Sequence, residues 1–388
     1  MSYYILPKNV ILPNISVQYC DDFSREDDPP SIYISQSLVN YYYQLKSQID
    51  DFFVDNVDLS DNSFDAATRV INPYEFIFSK VPGSKYSVSK LKPHSNLFYD
   101  LLEISSTLGI FEVFDTSQQL QCLHISTNME DSVECFDMIR NDVHDIHITK
   151  PTVVLDDIEN YTRVHDVIFF EPDMSEPLMV NYFRSLQTCL GVILKAQAYN
   201  GIAIIKVHES FYKPAIDFIY ILTGLYEKVY ITKPSTSNVT TFEKYIVCKH
   251  FRYDDRNHDK SNSTYILDVK CMSLFYNKSR AQYIQGFGNN QFPCYFMNKV
   301  DDINMIMGQQ QLDALDQIVS IYKNKNKLDK IESIKKNNIQ KSVLWCEKYK
   351  IPCNKFTEKI NIFLPIINGP LSRVGDLTSA CSSDITIR

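Results

Sequence analysis

Glycine is scarce in this chain: ten residues in 388, against 25 tyrosines and 23 phenylalanines. So few glycines leave few places where the backbone can turn left-handed or approach a ligand closely. Ten cysteines occur without a single CxxC pair, which excludes a zinc-ribbon cluster or a disulfide scaffold and points to reduced thiols. No apolar run reaches the roughly 18 residues that a membrane-spanning helix needs, so no membrane partner is expected. The opening residues, MSYYILPKNVILPN, lack the basic start and apolar core of a secretory signal, and the expected location is the cytoplasm. Positive charge is also in short supply. Lys and Arg total 39 against 47 Asp and Glu, a net charge of −8, which excludes a chain that coats nucleic acid as a whole but leaves room for a local basic patch. What remains is 44% hydrophobic and 22% charged, enough for a large core and for two or three units.

The sequence divides into an N-terminal extension (1–70), an α/β domain (71–255) and a helical C-terminal region with a polar tail (256–388). The extension holds acidic turns around one helix near Ser35–Phe53. In the middle part, Ser95–Ser105 has helical apolar spacing and Ile110–Phe114 is a short apolar run. Gln121–Ser126, Thr152–Leu155 and Asp166–Phe170 read as strands, the last a continuous apolar run of the kind buried on both faces. An amphipathic helix follows, with Leu178, Tyr182, Phe183, Leu186, Leu190 and Ile193 on its buried stripe and Asn200-Gly201 at its end. Ile202–Val207 is the next buried strand, about Lys213–Tyr226 a helix, Lys228–Thr232 a strand, and Glu243–Phe251 a last strand reached without a helix. Strands alternating with helices, then two adjacent strands, predict a doubly wound α/β sheet with one reversed edge strand. The region from Tyr253 to about Asp302 reads as polar and interrupted, and Leu312–Ser333 and Asn337–Tyr349 as helices.

Three features of the segment from Gly201 to Phe251 stand out: a lysine (Lys206) ends a buried strand, a Lys-Pro-Ser loop (Lys233, Pro234, Ser235) follows the next, and Glu243 opens the last. This pattern resembles the FtsJ-like family of RNA ribose 2′-O-methyltransferases, closest to the cap-specific branch of eukaryotes and large DNA viruses. The resemblance covers about 160 residues and is most specific in its C-terminal third. It implies a Rossmann-like fold, S-adenosylmethionine as cofactor, and a Lys-Asp-Lys-Glu tetrad whose central lysine faces the ribose hydroxyl. Lys206 matches that lysine and Glu243 the glutamate. The helix that carries the first lysine matches SNLFYDLLE, which places Asp100 at that position, and the strand closed by the aspartate matches DVIFF, which places Glu171 there. Lys233, Ser235 and Ser237 match the loop that flanks RNA, and Asp156-Asp157-Ile158 resembles the acidic motif on the adenosine side. The glycine-rich cofactor turn is expected at IFEVFDTSQQLQ, which has no glycine. Ordinary residues forced left-handed there would cost roughly 1–2 kcal/mol each.

The resemblance thus leaves two classes open: an active cap 2′-O-methyltransferase using S-adenosylmethionine, or a degenerate relic without cofactor, serving as a subunit that binds RNA or other proteins of RNA-processing or virion machinery. A viral replication site or a virion is the implied location. Other readings of the residues stay open beside these. Lys206 could be a strand-end lysine reaching for water, Asp100 a solvated helix residue, and Glu171 either a surface carboxylate or one facing the cleft. The lysine run of 322–341, with Lys323, Lys325 and Lys327, reads either as a solvated helix face or as a contact to RNA phosphates. His144 and His147 lack an obvious third ligand and are assigned to surface or packing, so no metal site is expected.

Overall fold

In the computed structural model the buried, β-branched runs of the middle segment line up as one seven-stranded sheet. The structure describes residues 1–20, 31–54, 64–141, 143–175, 178–254, 264–275, 283–323 and 328–354. The sheet strands are β1 (Ser2–Ile5), β3 (Gln121–Ile125), β4 (Ile146–Lys150), β5 (His165–Phe170), β6 (Gln197–Val207), β7 (Tyr226–Lys233) and β8 (Lys244–Phe251). Their spatial order is β1-β7-β8-β6-β5-β3-β4. Strands β4, β3, β5 and β6 are parallel, while β8 runs antiparallel to β6 and β7. The fold is therefore a Rossmann-like doubly wound α/β sheet in which two strands, β8 and the edge strand β1, run against the rest; the expected reversed strand β8 lies between β6 and β7 and not at the edge. A separate ribbon pairs β2 (Gln18–Cys20) with β9 (Tyr283–Gly286).

Side chains alternate between two helical layers. Leu123, Ile125, Ile168, Phe170, Ala203 and Ile205 join a core with residues of α5 (Leu178–Ala196) and α6 (Lys213–Leu225). The intervening Cys122, Val167, Phe169, Ile202 and Ile204 are equally buried on the other face. That face carries α3 (Leu97–Leu108) and α4 (Met129–Ile139), which pack on each other. Around this body lie α1 (Gln36–Val54), α2 (Phe64–Ile71), α7 (Thr264–Phe275), α8 (Cys294–Lys323) and α9 (Leu328–Lys348).

Several sequence expectations change. The N-terminal extension is not set apart from the α/β domain, because β1 completes the sheet by pairing with β7. Thr152–Leu155 is not extended pairing; β4 lies just before it and Leu155–Asn160 is 3-10 helix. In the short apolar run of Ile110–Phe114, Phe111–Val113 is a single 3-10 turn leading into β3. Asn200-Gly201 does not stop a helix. The helix ends at Ala196, and Asn200, at φ 61°, sits within β6 where the pairing with β5 shifts register. A Cβ on Gly201 would stand 2.8 Å from two backbone carbonyl oxygens, so the Asn-Gly pair serves a bulge rather than a cap. The region after Tyr253 holds α7 and β9, and α8 begins at Cys294, well before Leu312.

Candidate active site

Where a doubly wound sheet reverses its strand order, a crevice opens at the C-terminal ends of the strands. Here β4 lies on one side of β3 and β5 on the other, so the crevice opens past Ile125 and Phe170. The residues that follow are Ser126 and Glu171. The Glu171 backbone N–H donates to the Ile125 carbonyl at 2.8 Å, and the Ser126 hydroxyl donates to the Glu171 carboxylate at 2.5 Å.

Glu171 faces the crevice rather than solvent. Its other oxygen accepts from Lys206 Nζ at 3.0 Å, and Lys206 lies 3.4 Å from Glu243. Lys206 sits one residue before the end of β6 and Glu243 just before β8, the antiparallel neighbour, so register alone brings them together. All three side chains are under 20% exposed. Burial by itself would lower the lysine's pKa, but Glu243 and Glu171 outweigh it and hold the ammonium far above its ordinary value. Burial pushes Glu171 up, yet Lys206 and the Ser126 hydroxyl hold it below the usual carboxylate range. Lys206 is therefore a fixed cation, not a base.

Asp100 corrects the expectation of a solvated helix residue: it is only 2% exposed. It projects from α3 toward β8, where it accepts hydrogen bonds from the Thr236 hydroxyl and, at 2.9 Å, from the Tyr245 hydroxyl. Burial and the nearby Glu243 push its pKa up to about 7, against the pull of Thr236, Lys206 and Tyr245. Sequence reasoning missed Tyr245 and Thr236, although Tyr245 stands directly opposite Lys206 in the β6–β8 register.

The loop expected to flank RNA is largely spent internally. Lys233 donates to the carbonyls of Thr241 at 2.7 Å and Glu243 at 2.8 Å, and burial draws its pKa down to about 8, with Glu243 and Asp100 opposing. The Ser235 N–H donates to Glu103 at 2.8 Å, and the buried Ser237 hydroxyl to the Pro234 carbonyl at 2.9 Å. Lys233 and Ser237 thus serve as struts of the loop rather than open contacts for RNA. Asp157 and Ile158 lie on the 3-10 segment, Asp157 exposed and Ile158 buried in the core; Asp156 belongs to the same turn. Lys323 is exposed at the end of α8, whereas Lys325 and Lys327 lie outside the described residues.

The cofactor turn also moves. The segment expected to hold it precedes β3, and the turn that follows the first strand of the parallel set is Ser126-Thr127-Asn128. It has no glycine and none of its residues has positive φ, so the tight left-handed approach to a methionine tail is not made. The Ser126 oxygen instead bonds Glu171 and accepts from the Asn128 N–H at 2.9 Å. The turn fits S-adenosylmethionine poorly. At the start of α4, Asp131 is buried and accepts from the His94 N–H and the Ser95 hydroxyl, which ties α4 to the start of α3, and Glu130 stands 3.0 Å from His94.

No family model matches this sequence, and no curated protein does. Among solved structures, the chain is similar to a provisionally assigned ribosomal RNA methyltransferase from Plasmodium falciparum, at 14% identity and a TM-score of 0.31, over 40% of this chain and 97% of that one. It is also similar to phosphoethanolamine N-methyltransferase 2 of Haemonchus contortus in complex with S-adenosyl-L-methionine, at 12% identity and a TM-score of 0.26. That match spans 39% of this chain and 37% of the other. Likeness at this level transfers no activity.

Proposed function

We propose that this protein is a methyltransferase-fold member of the FtsJ-like RNA ribose 2′-O-methyltransferase type whose centre has lost most of its catalytic power, and that it works as a binding or scaffold subunit of RNA-processing or virion machinery. One observation carries the reading. The four positions that the resemblance assigns to catalysis meet in one crevice, but they hold a single cation among three carboxyl groups. The family pattern balances two lysines against two acids. Here the balance is −2 with Asp100 ionised and −1 with it protonated. A ribose hydroxyl that loses its proton needs positive charge beside it, and preorganised charge of that kind is among the largest contributions to rate. Replacing one ammonium by a carboxyl reverses the field at that point, while both remaining glutamates hold Lys206 for themselves.

An active S-adenosylmethionine-dependent mRNA cap 2′-O-methyltransferase is the second reading. The preserved Glu171–Lys206–Glu243 clamp at the switch point favours it. Calorimetric titration with S-adenosylhomocysteine, followed by a methyl-transfer assay on capped RNA, separates the two. The binding-subunit reading expects no heat at micromolar ligand and no labelled RNA. Micromolar affinity together with methyl transfer to the cap-proximal ribose would overturn it.

A further inference from the structure

A second cluster lies away from the crevice, on the face of the sheet under α4. Cys122 and His124 are two residues apart on β3 and point to the same side, and His147 on β4 is the register partner of Cys122. The cysteine sulfur and one nitrogen from each ring all lie within 4.8 Å of one another. Cys122 and His124 are fully buried, and the His147 side chain is 12% exposed.

The rings of this cluster stand in one line of polar contacts. The Ser132 hydroxyl lies 2.8 Å from the Met129 carbonyl and 2.7 Å from His124 Nδ1. His124 Nε2 and His147 Nδ1 face each other across 2.9 Å, with the Cys122 thiol beside them. On the far side, His147 Nε2 stands 3.0 Å from a carboxylate oxygen of Asp137. With the Ser132 hydroxyl turned to Met129 and the His147 hydrogen turned to Asp137, the two inner nitrogens present lone pairs to one another, an arrangement that a cation between the rings satisfies.

We propose that Cys122, His124 and His147 bind one zinc ion. A thiolate and two imidazoles are a donor set suited to that metal. Both histidines have their outer nitrogens already tied, one to a hydroxyl and one to a carboxylate, which is how metal-bound imidazoles are oriented. The charges close: a divalent ion, the Cys122 thiolate formed by releasing its proton to solvent, and the Asp137 carboxylate sum to zero. Zinc bonds of about 2.0–2.3 Å hold tetrahedral donors roughly 3.3–3.6 Å apart, so modest side-chain rotations complete the geometry. Three protein donors leave the fourth tetrahedral position for a water. The ion would tie the edge strand β4 to β3 two residues before Ser126, bracing one wall of the crevice. A reading along the chain finds only His144 beside His147, whereas these donors come from adjacent strands.

Zinc titrated into metal-free full-length protein against a chromophoric chelator should show one equivalent bound. Cobalt should give tetrahedral d–d bands and a thiolate-to-metal charge-transfer band. Cys122→Ser should abolish that band, and His147→Gln should weaken zinc by at least tenfold. Asp137→Asn alters a side chain that is 56% exposed, so folding is preserved, and it should weaken zinc by about 10–100-fold. Absence of stoichiometric binding, or binding equal in wild type, Cys122→Ser and Asp137→Asn, would refute the site and leave a proton-bridged histidine pair.

Discussion

At the scale of single residues, Lys206 and Asp100 make opposite predictions. Lys206→Met strips two partly buried carboxylates of their shared cation, and breaking such a pair costs about 3 kcal/mol or more. Urea unfolding at pH 7 should show that loss. It should shrink toward pH 4, because Glu171, held low in the wild type, gives its stability above the ordinary carboxylate value and loses it as pH falls through the depressed one. Asp100 runs the other way. Its folded pKa of about 7 lies above the ordinary value of 3.8, so between those values the folded state binds the extra proton and stability falls as pH rises. Asp100→Asn should remove that slope, which is on the order of a few kcal/mol across the window. A denaturation midpoint in the variant that still declines from pH 4 to 7 as in the wild type would count against this account. The two residues also differ in legibility. Lys206 and Glu243 flank apolar runs and stand out in the sequence. Asp100 sits on a helix whose pattern says nothing about who meets it, and its partners Thr236 and Tyr245 lie 136 and 145 positions away.

At the scale of elements, continuous apolar runs announced β5, β6 and β8, and periodic stripes announced α1, α3, α5 and α6. Strands with an exposed face did not stand out. In β4 only His147 and Lys150 are partly covered, and β1 alternates exposed Tyr3 and Ile5 with half-covered neighbours. The cofactor turn was misplaced for a related reason: a short apolar run beside glycine-free polar text looks the same in a strand and in a 3-10 turn. The edge role of β1 is testable. Leu6, next along the chain, donates its N–H to Val229, and Tyr4 stands opposite Ile231 in the same phase. Tyr4→Pro removes a ladder donor and should strip the strand from β7, lowering stability by about 3 kcal/mol and exposing an unpaired edge. Thermal melts with light scattering should show a lower midpoint and concentration-dependent aggregation, whereas Tyr4→Phe should change neither.

At the scale of the whole molecule, the net charge of −8 opposes RNA, so any binding must come from a local concentration of lysine. If RNA is the partner, each phosphate contact adds about 0.7 to the magnitude of the log–log salt slope for single strands. Replacing Lys323, Lys325 and Lys327 together by Ala should weaken binding and flatten that slope. Lys206→Ala should leave it nearly unchanged, since its ammonium is engaged by Glu171 and Glu243. Filter binding at several salt concentrations decides, and wild-type protein that shows no salt-dependent binding would leave protein partners as the surviving class. No helix among the described residues is long and apolar enough to cross a membrane. The outermost pairing of the sheet also sets a timetable. The Thr232 hydroxyl that bonds the Ser2 carbonyl belongs to a residue 230 positions further along. On a ribosome adding about 5–20 residues per second, β1 emerges ahead of the rest of the sheet and waits on the order of 10–50 s for β7 to exist. Throughout that interval Tyr3, Tyr4 and Ile5 form a nascent strand with nothing to pair with. The first strand of the sheet to be made is among the last to find its place, and a chaperone that holds it has those seconds in which to act.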